Sequence, residues 1–370
     1  MLNQSTSFAP QVKQGYHECE ILGKGPEAAE SELQWQACEK NRGHKKFIPI
    51  KEFASKHMPQ ELRDQQTFDT FKTIANLTVR LRVRYTSENR PNDDPISQYR
   101  STDYLRTGSG LITAVDAGQG TCNHCFECNS YGGQKFWWVY LRTARHVAYD
   151  NREAKATKVD LFCDDDISVR DGSMKSLQGV DLEMFNAEDD FCVMRCVVHD
   201  ESLAKQIQNY THAANLGMNF KMTYFPMWGR SEFLNHFVVL VISHPHGKPK
   251  MVTVGKMKRI EVKPSEEKDN AYILESYGPV FFEYATPTCP GCSGAPLIQL
   301  CRPIPIVIRN GDMRSTTSRP ICADGWVHSG TSTPGRDATC KLCLWPQRCS
   351  NQVNYSCVVN NFDPHWKLVK

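Results

Sequence analysis

The chain has 370 residues, of which 40% are apolar and 23% charged, a composition typical of a folded globular protein. The formal net charge is only +3, so it predicts neither a nucleic acid nor an anionic membrane as a partner. No apolar run approaches the ~18 residues of a membrane span, and no signal-peptide pattern opens the chain, which predicts a cytoplasmic or nuclear protein. The sixteen cysteines are therefore expected to be reduced and to serve packing, metal binding or catalysis.

Residues 1–65 form the first predicted region, an N-terminal extension that differs in composition from the rest of the chain. Pro26 suits the first position of a helix and Gly43 suits its end, so a short helix is predicted through the segment ESELQWQACEK. Trp35 and Cys38 would share one face of that helix and dock on the main body. A partly ordered polar arm is the open alternative.

Residues 66–335 contain many short strand-like runs and few long helical periods, the pattern of an all-β body. Leu77–Tyr85 alternates apolar with basic residues, as in a half-buried strand, and its arginines are expected on a solvated face. Further predicted strands are Gly108–Val115, Phe136–Ala144, Cys192–Val198, His236–Ser243, Lys250–Met257, Ile273–Tyr284 and Ala295–Leu300. Residues 201–217 are predicted as a helical insertion, and residues 336–370 as an irregular, cysteine-rich tail.

Three short segments supply the residue types of nucleophilic catalysis. A histidine follows a strand in Thr143–Val147, an acid precedes a strand in Glu188–Met194, and a serine lies in a glycine turn in Gly291–Pro296. A serine hydroxyl becomes a useful nucleophile when a neutral imidazole takes its proton, and a carboxylate on the other ring nitrogen fixes that imidazole. Glycines beside the serine let two backbone N–H groups converge on the oxyanion. Together the segments predict acyl-transfer chemistry.

In this order, TARHV, the acid before an apolar strand and GCSGAP resemble the signatures of chymotrypsin-fold (trypsin-like) serine peptidases. GSGLIT resembles the strand before the histidine in HtrA-type and glutamyl-endopeptidase members, and SHPHG with MVTVGKM resembles their second-barrel hairpin. The resemblance covers residues 70–335. It implies an all-β fold of two six-stranded antiparallel β-barrels with the active site between them, preceded by the partly helical extension.

The resemblance also implies a role for each matching residue. His146 is the expected general base, Asp190 its orienting acid and Ser293 the nucleophile. The N–H groups of Gly291 and Ser293 are the expected oxyanion hole.

Two neighbouring residues are alternatives within this set. Asp189 adjoins Asp190, although Asp190 has the better spacing to the strand that follows. Cys292 offers a thiol nucleophile beside Ser293, and viral relatives of this fold use cysteine. The register Gly-x-Ser-Gly-x-Pro nevertheless places Ser293 at the nucleophile position.

Thr288 and His328 are the predicted substrate-specificity residues. A threonine five residues before the serine, with a histidine in Trp-Val-His-Ser-Gly, resembles glutamyl endopeptidases and picornavirus- and calicivirus-type main proteases. A hydroxyl and an imidazole N–H are donors matched to the side-chain oxygen of Glu or Gln, so cleavage after Glu or Gln is predicted. Pro287 stands where an acid would select Lys or Arg, and argues against that preference. A purely structural role for His328 stays open.

Cys122, Cys125 and Cys128 form the pattern C-x-x-C-x-x-C, whose compact spacing suits a thiolate-bound zinc ion. Cys163 is the predicted fourth ligand, and His124 is the alternative. A closed four-ligand shell would make this zinc structural, ordering a long insertion between two strands. Reduced thiols without a metal are equally open, because the second half of the usual paired C-x-x-C signature is absent.

These patterns together predict a serine endopeptidase that hydrolyses a protein or peptide substrate through an acyl-enzyme on Ser293. Catalysis itself is expected to need no cofactor. The alternative function is a catalytically inactive, protease-like module that binds peptides in the same cleft. The filled positions His146, Asp190 and Ser293 favour the enzyme.

Overall fold

The structure is a computed structural model, and it describes residues 16–125, 128, 133–186, 190–218, 237–262, 280–301, 305–307, 313–315, 320–327, 330–332 and 353–358. Within these residues the chain is mostly β, with two large antiparallel sheets and five α-helices. No helix in this part of the chain is long and apolar enough to cross a membrane.

The N-terminal region combines short strands with two helices. Its elements are β1 (Tyr16–His17), β2 (Glu20–Ile21), α1 (Glu27–Ala37), β3 (Ile48–Pro49) and α2 (Gln65–Leu77). The predicted helix begins directly after Pro26, but it ends at Ala37 rather than Gly43, which takes a φ of 70° in the following turn. Helix α2 begins at a cap, because the Asp64 carboxylate accepts from the Thr67 N–H at 2.9 Å.

The first large sheet closes into a six-stranded barrel. Its strands are β4 (Thr78–Val83), β5 (Arg106–Ala117), β6 (Trp137–Ala144), β7 (Thr157–Leu161), β8 (Lys175–Asn186) and β9 (Phe191–Val198). Antiparallel pairs run in the order β5-β4-β7-β8-β9-β6, and β6 pairs back to β5, which completes the ring. Alternate residues of β4 fill the barrel, since Val79, Leu81 and Val83 are fully buried.

The arginines between those core residues do not lie on the solvated face that the alternation predicts. Arg80 and Arg82 both bind the Asp160 carboxylate on β7, with Nε–Oδ2 distances of 3.0 and 2.7 Å. Glu27 of α1 lies 3.2 Å from the Arg82 guanidinium. Because Asp160 is fully buried, its charge requires cations beside it. Helix α1 therefore covers this face of the barrel.

The second large sheet is an open path of strands. The remaining strands are β10 (Phe237–Ser243), β11 (Met251–Val262), β12 (Val280–Ala285), β13 (Pro296–Cys301), β14 (Pro305–Val307), β15 (Met313–Ser315), β16 (Pro320–Val327), β17 (Gly330–Ser332) and β18 (Val353–Val358). The sheet runs β1-β17-β18-β12-β11-β10-β13-β16, with β3 on β11, while β14 and β15 pair separately. One of the two predicted barrels is thus confirmed, and closure of the second stays a prediction.

Three further helices and the tail complete the described fold. The helices are α3 (Asn151–Lys155), α4 (Asp166–Arg170) and α5 (Glu201–Met218). Helix α5 lies at the predicted helical insertion, and its Leu203 and Ile207 join the barrel core. Phe71 and Ile74 of α2 pack instead with the core of the second sheet. Strand β18 falls inside the predicted tail, so that part of the tail belongs to the second sheet.

Candidate active site

Strand pairing brings the histidine and the acid of the site together. His146 lies two residues after β6 and Asp190 directly before β9, and these strands pair with Ala144 opposite Phe191. The His146 Nδ1 lies 2.6 Å from Oδ2 of Asp190, and the His146 N–H donates to Oδ1 at 2.9 Å. The register of one strand pair therefore sets both positions.

The electrostatics of this pair favour an ionised aspartate. Burial by itself would raise the pKa of the Asp190 carboxyl, but the nearby His146 outweighs burial and lowers that pKa. An ionised carboxylate keeps the imidazole proton on Nδ1 and leaves Nε2 as the acceptor. The His146 Nε2 is buried without a hydrogen-bond partner among the described residues, as suits a general base. The alternative acid, Asp189, lies outside the described residues.

The nucleophile turn depends on its two glycines. Gly291 has a φ of 94° and Gly294 a φ of 84°, in the left-handed region that favours glycine. A Cβ atom at Gly294 would lie 2.1 Å from both the Ser109 carbonyl oxygen and the Thr143 Oγ1, so a larger residue does not fit. The Ser109 N–H donates to the Ser293 carbonyl at 2.8 Å. The turn therefore lies against the barrel, beside the segment that begins at Thr143.

The two N–H groups assigned to the oxyanion hole converge on a carbonyl group of the chain itself. Gly291 and Ser293 both donate their N–H groups to the Glu18 carbonyl oxygen, at 2.6 and 3.3 Å. The Glu18 N–H donates to the Ser293 Oγ at 2.9 Å. Two donors on one carbonyl oxygen form the arrangement that stabilises a tetrahedral oxyanion.

The two described residues before Glu18, Tyr16 and His17, lie in the cleft as an extended strand. Strand β1 pairs antiparallel with β17, with His17 opposite Gly330. The His17 ring stacks on the His146 ring with 4.0 Å between centroids. Since His17 contacts His146 and the adjacent Glu18 contacts Ser293, one dipeptide touches both the base and the nucleophile. The N-terminal extension therefore occupies the candidate active site.

The buried Glu18 side chain lies against a cation, and we call its surroundings the pocket. Its carboxylate forms an ion pair with the Lys40 Nζ, which also donates to the Thr288 Oγ1 at 3.0 Å. Burial lowers the pKa of Lys40 to about 8. Thr288 thus lies in the pocket beside the nucleophile turn, whereas His328 lies outside the described residues.

Lys40 is a pocket residue that the sequence does not indicate. It lies in the N-terminal extension, 248 residues before its contact Thr288. The adjacent Asn41 donates its Nδ2 hydrogen to the Thr288 carbonyl at 2.8 Å, so two successive residues of the extension contact this wall of the pocket. A lysine in a polar segment is ordinarily solvated, and no motif marks this one.

Cys292, the alternative nucleophile, is fully buried. Its Sγ donates to the Ser243 Oγ at 3.1 Å. Burial raises the pKa of this thiol, which disfavours the thiolate that a cysteine nucleophile needs. The hydroxyl of Ser293, in contrast, contacts the peptide in the cleft.

The cysteine pattern in the β5–β6 insertion gathers a different fourth partner from the predicted one. Donor atoms of four residues lie within 4.8 Å of one another, and we name them the Cys122 group: Cys122, Cys125, Cys128 and His199. The His199 Nε2 lies 3.4 Å from the Cys125 Sγ and 3.5 Å from the Cys128 Sγ. His199 follows β9 directly, and β9 pairs with β6, whose first residue follows the insertion. The pairing of β6 with β9 is therefore the feature from which His199 could be predicted as the fourth member.

Neither of the two predicted candidates for the fourth ligand, Cys163 and His124, has its side chain in the Cys122 group. Cys163 is fully buried after β7, where its carbonyl accepts the Lys250 N–H at 2.8 Å, and it is not part of the Cys122 group. The His124 ring packs against Trp138, with 4.6 Å between ring centroids.

A histidine–aspartate pair on a closed barrel and a serine in a glycine turn contact the same dipeptide, an arrangement that resembles the site of a chymotrypsin-fold serine peptidase. No protein-family model and no curated protein matches the chain. Among solved structures, the chain is similar to the HtrA-type protease AlgW with a tripeptide, at 16% identity over 68% of this chain and 59% of that chain, with a TM-score of 0.28. It is also similar to Rv3671c from M. tuberculosis in an inactive form, at 10% identity over 69% of this chain and 85% of that chain, with a TM-score of 0.30. The chain spans about three fifths of the AlgW structure, and the assignment of the site depends on its own geometry.

Proposed function

We propose that the chain is a serine endopeptidase of the chymotrypsin fold that acts on protein or peptide substrates. One observation carries the proposal: the N–H groups of Gly291 and Ser293 converge on the carbonyl oxygen of a peptide that also contacts His146. A peptide held in this way presents its carbonyl carbon to the serine hydroxyl. The paired Asp190 completes the groups that acyl transfer requires.

The proposed reaction uses the chain's own groups and water. Ser293 Oγ attacks the carbonyl carbon while the His146 Nε2 takes the hydroxyl proton, and the N–H groups of Gly291 and Ser293 bind the oxyanion. Asp190 stabilises the imidazolium that forms. His146 then gives the proton to the departing amine, leaving an acyl-enzyme on Ser293. Water, deprotonated by His146, hydrolyses that ester and restores the serine.

We propose further that the enzyme prefers Glu over Gln before the scissile bond. Lys40 pairs with the Glu18 carboxylate, and the same Lys40 Nζ donates to the Thr288 Oγ1. A largely buried cation is stabilised far better by a carboxylate than by a neutral amide. The pocket is therefore proposed to distinguish Glu from Gln, which the sequence pattern does not do. His328 is proposed as a second donor to the substrate side chain, on the resemblance alone.

Labelling by a fluorophosphonate probe tests the proposed activity. Folded wild type is expected to be labelled, and Ser293→Ala and His146→Ala are each expected to lose the label. Because Glu18 occupies the cleft, the assay includes a His17→Ala/Glu18→Ala double variant, whose N-terminal segment is held less tightly. Cys292→Ser is the matched control and should label like wild type. Folded protein that takes no label in either form would favour the inactive, peptide-binding alternative.

We also propose that the Cys122 group binds a structural zinc ion. Three thiolates and one imidazole make a closed four-ligand shell with no position for a reacting water. The His199 Nδ1 lies 3.1 Å from the Lys135 carbonyl oxygen, the kind of outer contact that orients a zinc-bound histidine. Metal analysis of protein purified without chelator tests this site. Wild type should carry a zinc ion that Cys125→Ser lacks.

A further inference from the structure

A second group of metal-ligand side chains lies where the N-terminal extension meets the nucleophile loop. One donor atom of each residue lies within 4.8 Å of the others, and all four residues are buried: Cys38, His44, His246 and Cys289. We name these residues the Cys38 group. Their spacing along the chain predicts no metal site, because they come from three distant segments that only the fold brings together.

The distances in the Cys38 group fit a tetrahedral zinc shell. The Sγ atoms of Cys38 and Cys289 are 3.6 Å apart, and the Cys289 Sγ lies 3.5 Å from the His44 Nε2. With Zn–S of about 2.3 Å and Zn–N of about 2.05 Å, a tetrahedron requires separations of about 3.8 Å and about 3.6 Å. A disulfide requires about 2.05 Å between sulfurs, and both cysteines are free thiols.

The two histidines are oriented as zinc ligands. The His246 Nδ1 lies 2.5 Å from the Glu20 carboxylate, and its Nε2 is buried with no hydrogen-bond partner in the described part of the chain. A carboxylate on the outer nitrogen is a usual companion of a zinc-bound histidine, because it fixes the ring and raises its basicity. The His44 ring stacks on Trp35 at a centroid distance of 3.4 Å, which holds its Nε2 towards Cys289.

We propose that the Cys38 group binds a structural zinc ion that fixes the specificity pocket. Lys40 lies in the chain between the ligands Cys38 and His44, so a metal held by both would fix the backbone on either side of that lysine. The fourth ligand, Cys289, directly follows the pocket residue Thr288. One ion would therefore hold both walls of the pocket together. The effect on specificity rests on the proposed function, whereas the metal site itself does not.

Metal content of the full chain, measured by mass spectrometry after purification without chelator, tests the site. Wild type is expected to hold two zinc ions, one in each cysteine group. His246→Ala and Cys289→Ser should each lose one ion, while His44→Cys, which keeps four ligands, should retain two. Cys125→Ser is the matched control, because it should lose the other ion and leave the Glu preference of the enzyme unchanged.

Cobalt substitution gives a second measurement, which does not require that His246→Ala folds. Folded His44→Cys loaded with Co²⁺ should show stronger thiolate–cobalt absorption than wild type, because it adds a third sulfur to this site. Unchanged zinc content in folded His246→Ala and Cys289→Ser, or a Cys38–Cys289 disulfide in native wild type, would overturn the site. Loss of the ion without any change in the Glu-to-Gln preference would overturn its role in the pocket.

The peptide in the cleft supports an independent inference about the substrate. We infer that Ser293 cleaves the Glu18–Cys19 bond of its own chain, an inference that rests on the proposed function. The Glu18 carbonyl oxygen accepts hydrogen bonds from the two expected oxyanion-hole N–H groups, and the Glu18 side chain pairs with Lys40 in the pocket. The preceding strand β1 pairs with β17 as an extended substrate would.

The atoms balance as in ordinary acyl transfer. Ser293 Oγ bonds to the Glu18 carbonyl carbon as its proton moves to the His146 Nε2, and the Glu18–Cys19 bond breaks as that proton passes to the Cys19 nitrogen. Water then hydrolyses the ester. The products are a peptide that ends in the Glu18 carboxylate and a chain that begins with the Cys19 amino group.

The chain is anchored differently on the two sides of this bond. After the bond, the Cys19 Sγ donates to the Thr107 carbonyl at 3.4 Å, Glu20 contacts His246 and β2 pairs with β5, so the new N-terminus would stay on the barrel. Before the bond, strand pairing within the described residues is limited to the two residues of β1. We therefore expect the released peptide to leave, which would open the cleft to other substrates.

Mass spectrometry of the N-terminus tests this inference. Purified wild type is expected to begin at Cys19, and Ser293→Ala is expected to keep its original N-terminus. Glu18→Lys should also remain uncut, because it places a second cation beside Lys40, and it should still react with the fluorophosphonate probe. Wild type mixed with Ser293→Ala should leave the variant uncut, since the variant's segment lies in its own cleft.

The outcomes separate this inference from the proposed function. Wild type that labels with the probe and cuts an added Glu-containing peptide, but keeps its own Glu18–Cys19 bond, would overturn the inference alone. Wild type that neither labels nor cuts any peptide would overturn both. Rapid cutting of Ser293→Ala by added wild type would show that the reaction occurs between molecules rather than within one.

Discussion

The two halves of the candidate active site are held in place in different ways. His146 and Asp190 lie at the ends of paired strands in a closed barrel, so the strand register sets their 2.6 Å contact. Ser293 lies in a glycine turn before β13, and the pocket beside it takes Lys40 from the N-terminal extension. The first half depends on local pairing, and the second depends on a distant segment of the chain.

This difference shows which half the rest of the chain can control. A pair fixed by barrel register shares the stability of the barrel, whereas a pocket completed by an extension can form or be lost with that extension. Buried Arg90 supports the first half, because it pairs with Glu153 and donates to the His146 carbonyl at 2.8 Å. The second half takes its pocket cation from the extension. Substitutions in the two halves should therefore affect different properties of the protein.

The largest expected effect is on turnover. Ser293→Ala should lower kcat for a fluorogenic Glu peptide by about 10⁵–10⁶, and Asp190→Asn by about 10⁴, because the variant acid no longer holds the required imidazole tautomer. KM should change little in either variant, since the oxyanion donors and the pocket remain. Cys292→Ser is the control. If it lost as much activity as Ser293→Ala, the thiol would be the nucleophile.

The next effect is on the stability of the barrel half. Glu153→Gln should destabilise the fold by about 3–5 kcal/mol, because it removes the buried carboxylate that Arg106 and Arg90 share and leaves Arg90 with Asp94. Urea unfolding at pH 7 measures this loss. Glu201→Gln, on an exposed surface of α5, should unfold close to wild type and serves as the control.

Glu153 also makes the stability of the barrel half depend on pH. Burial alone would raise the pKa of Glu153, but Arg106 and Arg90 outweigh it and hold the pKa at about 2, below the ordinary value of 4.5. A lowered folded-state pKa stabilises the fold fully above pH 4.5, and this contribution is lost as the pH falls towards 2. Wild type should thus lose more stability between pH 7 and pH 3 than Glu153→Gln does. Equal losses would contradict this account.

The difference between the two halves also determines how much of the site can be predicted from the sequence. The segments around His146, Asp190 and Ser293 are recognisable because a histidine or an acid at a strand end and a serine in a glycine turn are local features. Lys40 and the Cys38 group are not, because their members meet only when the extension packs on the second sheet. A pattern within one segment carries no information about a contact 248 residues away.

The fold shows the same limit at the level of single strands. The alternation in Leu77–Tyr85 correctly predicts β4, but not the burial of Arg80, whose partner Asp160 lies on another strand. The cysteine spacing in the β5–β6 insertion indicates three thiols in one place. The fourth position depends on the pairing of β6 with β9, which brings His199 rather than Cys163 to the cysteines.

A smaller effect concerns selectivity in the pocket half. Lys40→Met should lower kcat/KM for a Glu peptide by about 10², because the substrate carboxylate would lose its buried cation, while the value for the matched Gln peptide should change little. Paired peptides that differ only at this residue measure the ratio. Lys46→Met, at an exposed lysine of the same extension, is the matched control. An unchanged ratio in Lys40→Met would remove Lys40 from the specificity pocket.

The smallest effect concerns the stacking of His17 on His146. Burial, together with the electrostatic effect of the neighbouring His146, lowers the pKa of His17 to about 4, against a weaker opposing effect of Asp190. A docked histidine with a lowered pKa binds best when neutral, so docking is strongest above pH 6.5 and weakens as the pH falls towards 4. The segment in the cleft should therefore be released more readily in mild acid.

His17→Phe isolates this effect, because phenylalanine keeps a stacked ring that does not titrate. Both forms are compared in the Ser293→Ala background, where the Glu18–Cys19 bond is expected to stay intact, through the affinity of the cleft for a fluorescent Glu peptide. Between pH 7 and pH 5, the form with His17 should gain about tenfold in peptide affinity as its own segment loosens, and His17→Phe should gain less. Equal gains in the two forms would mean that His17 does not cause the pH dependence and that the extension is insensitive to acid.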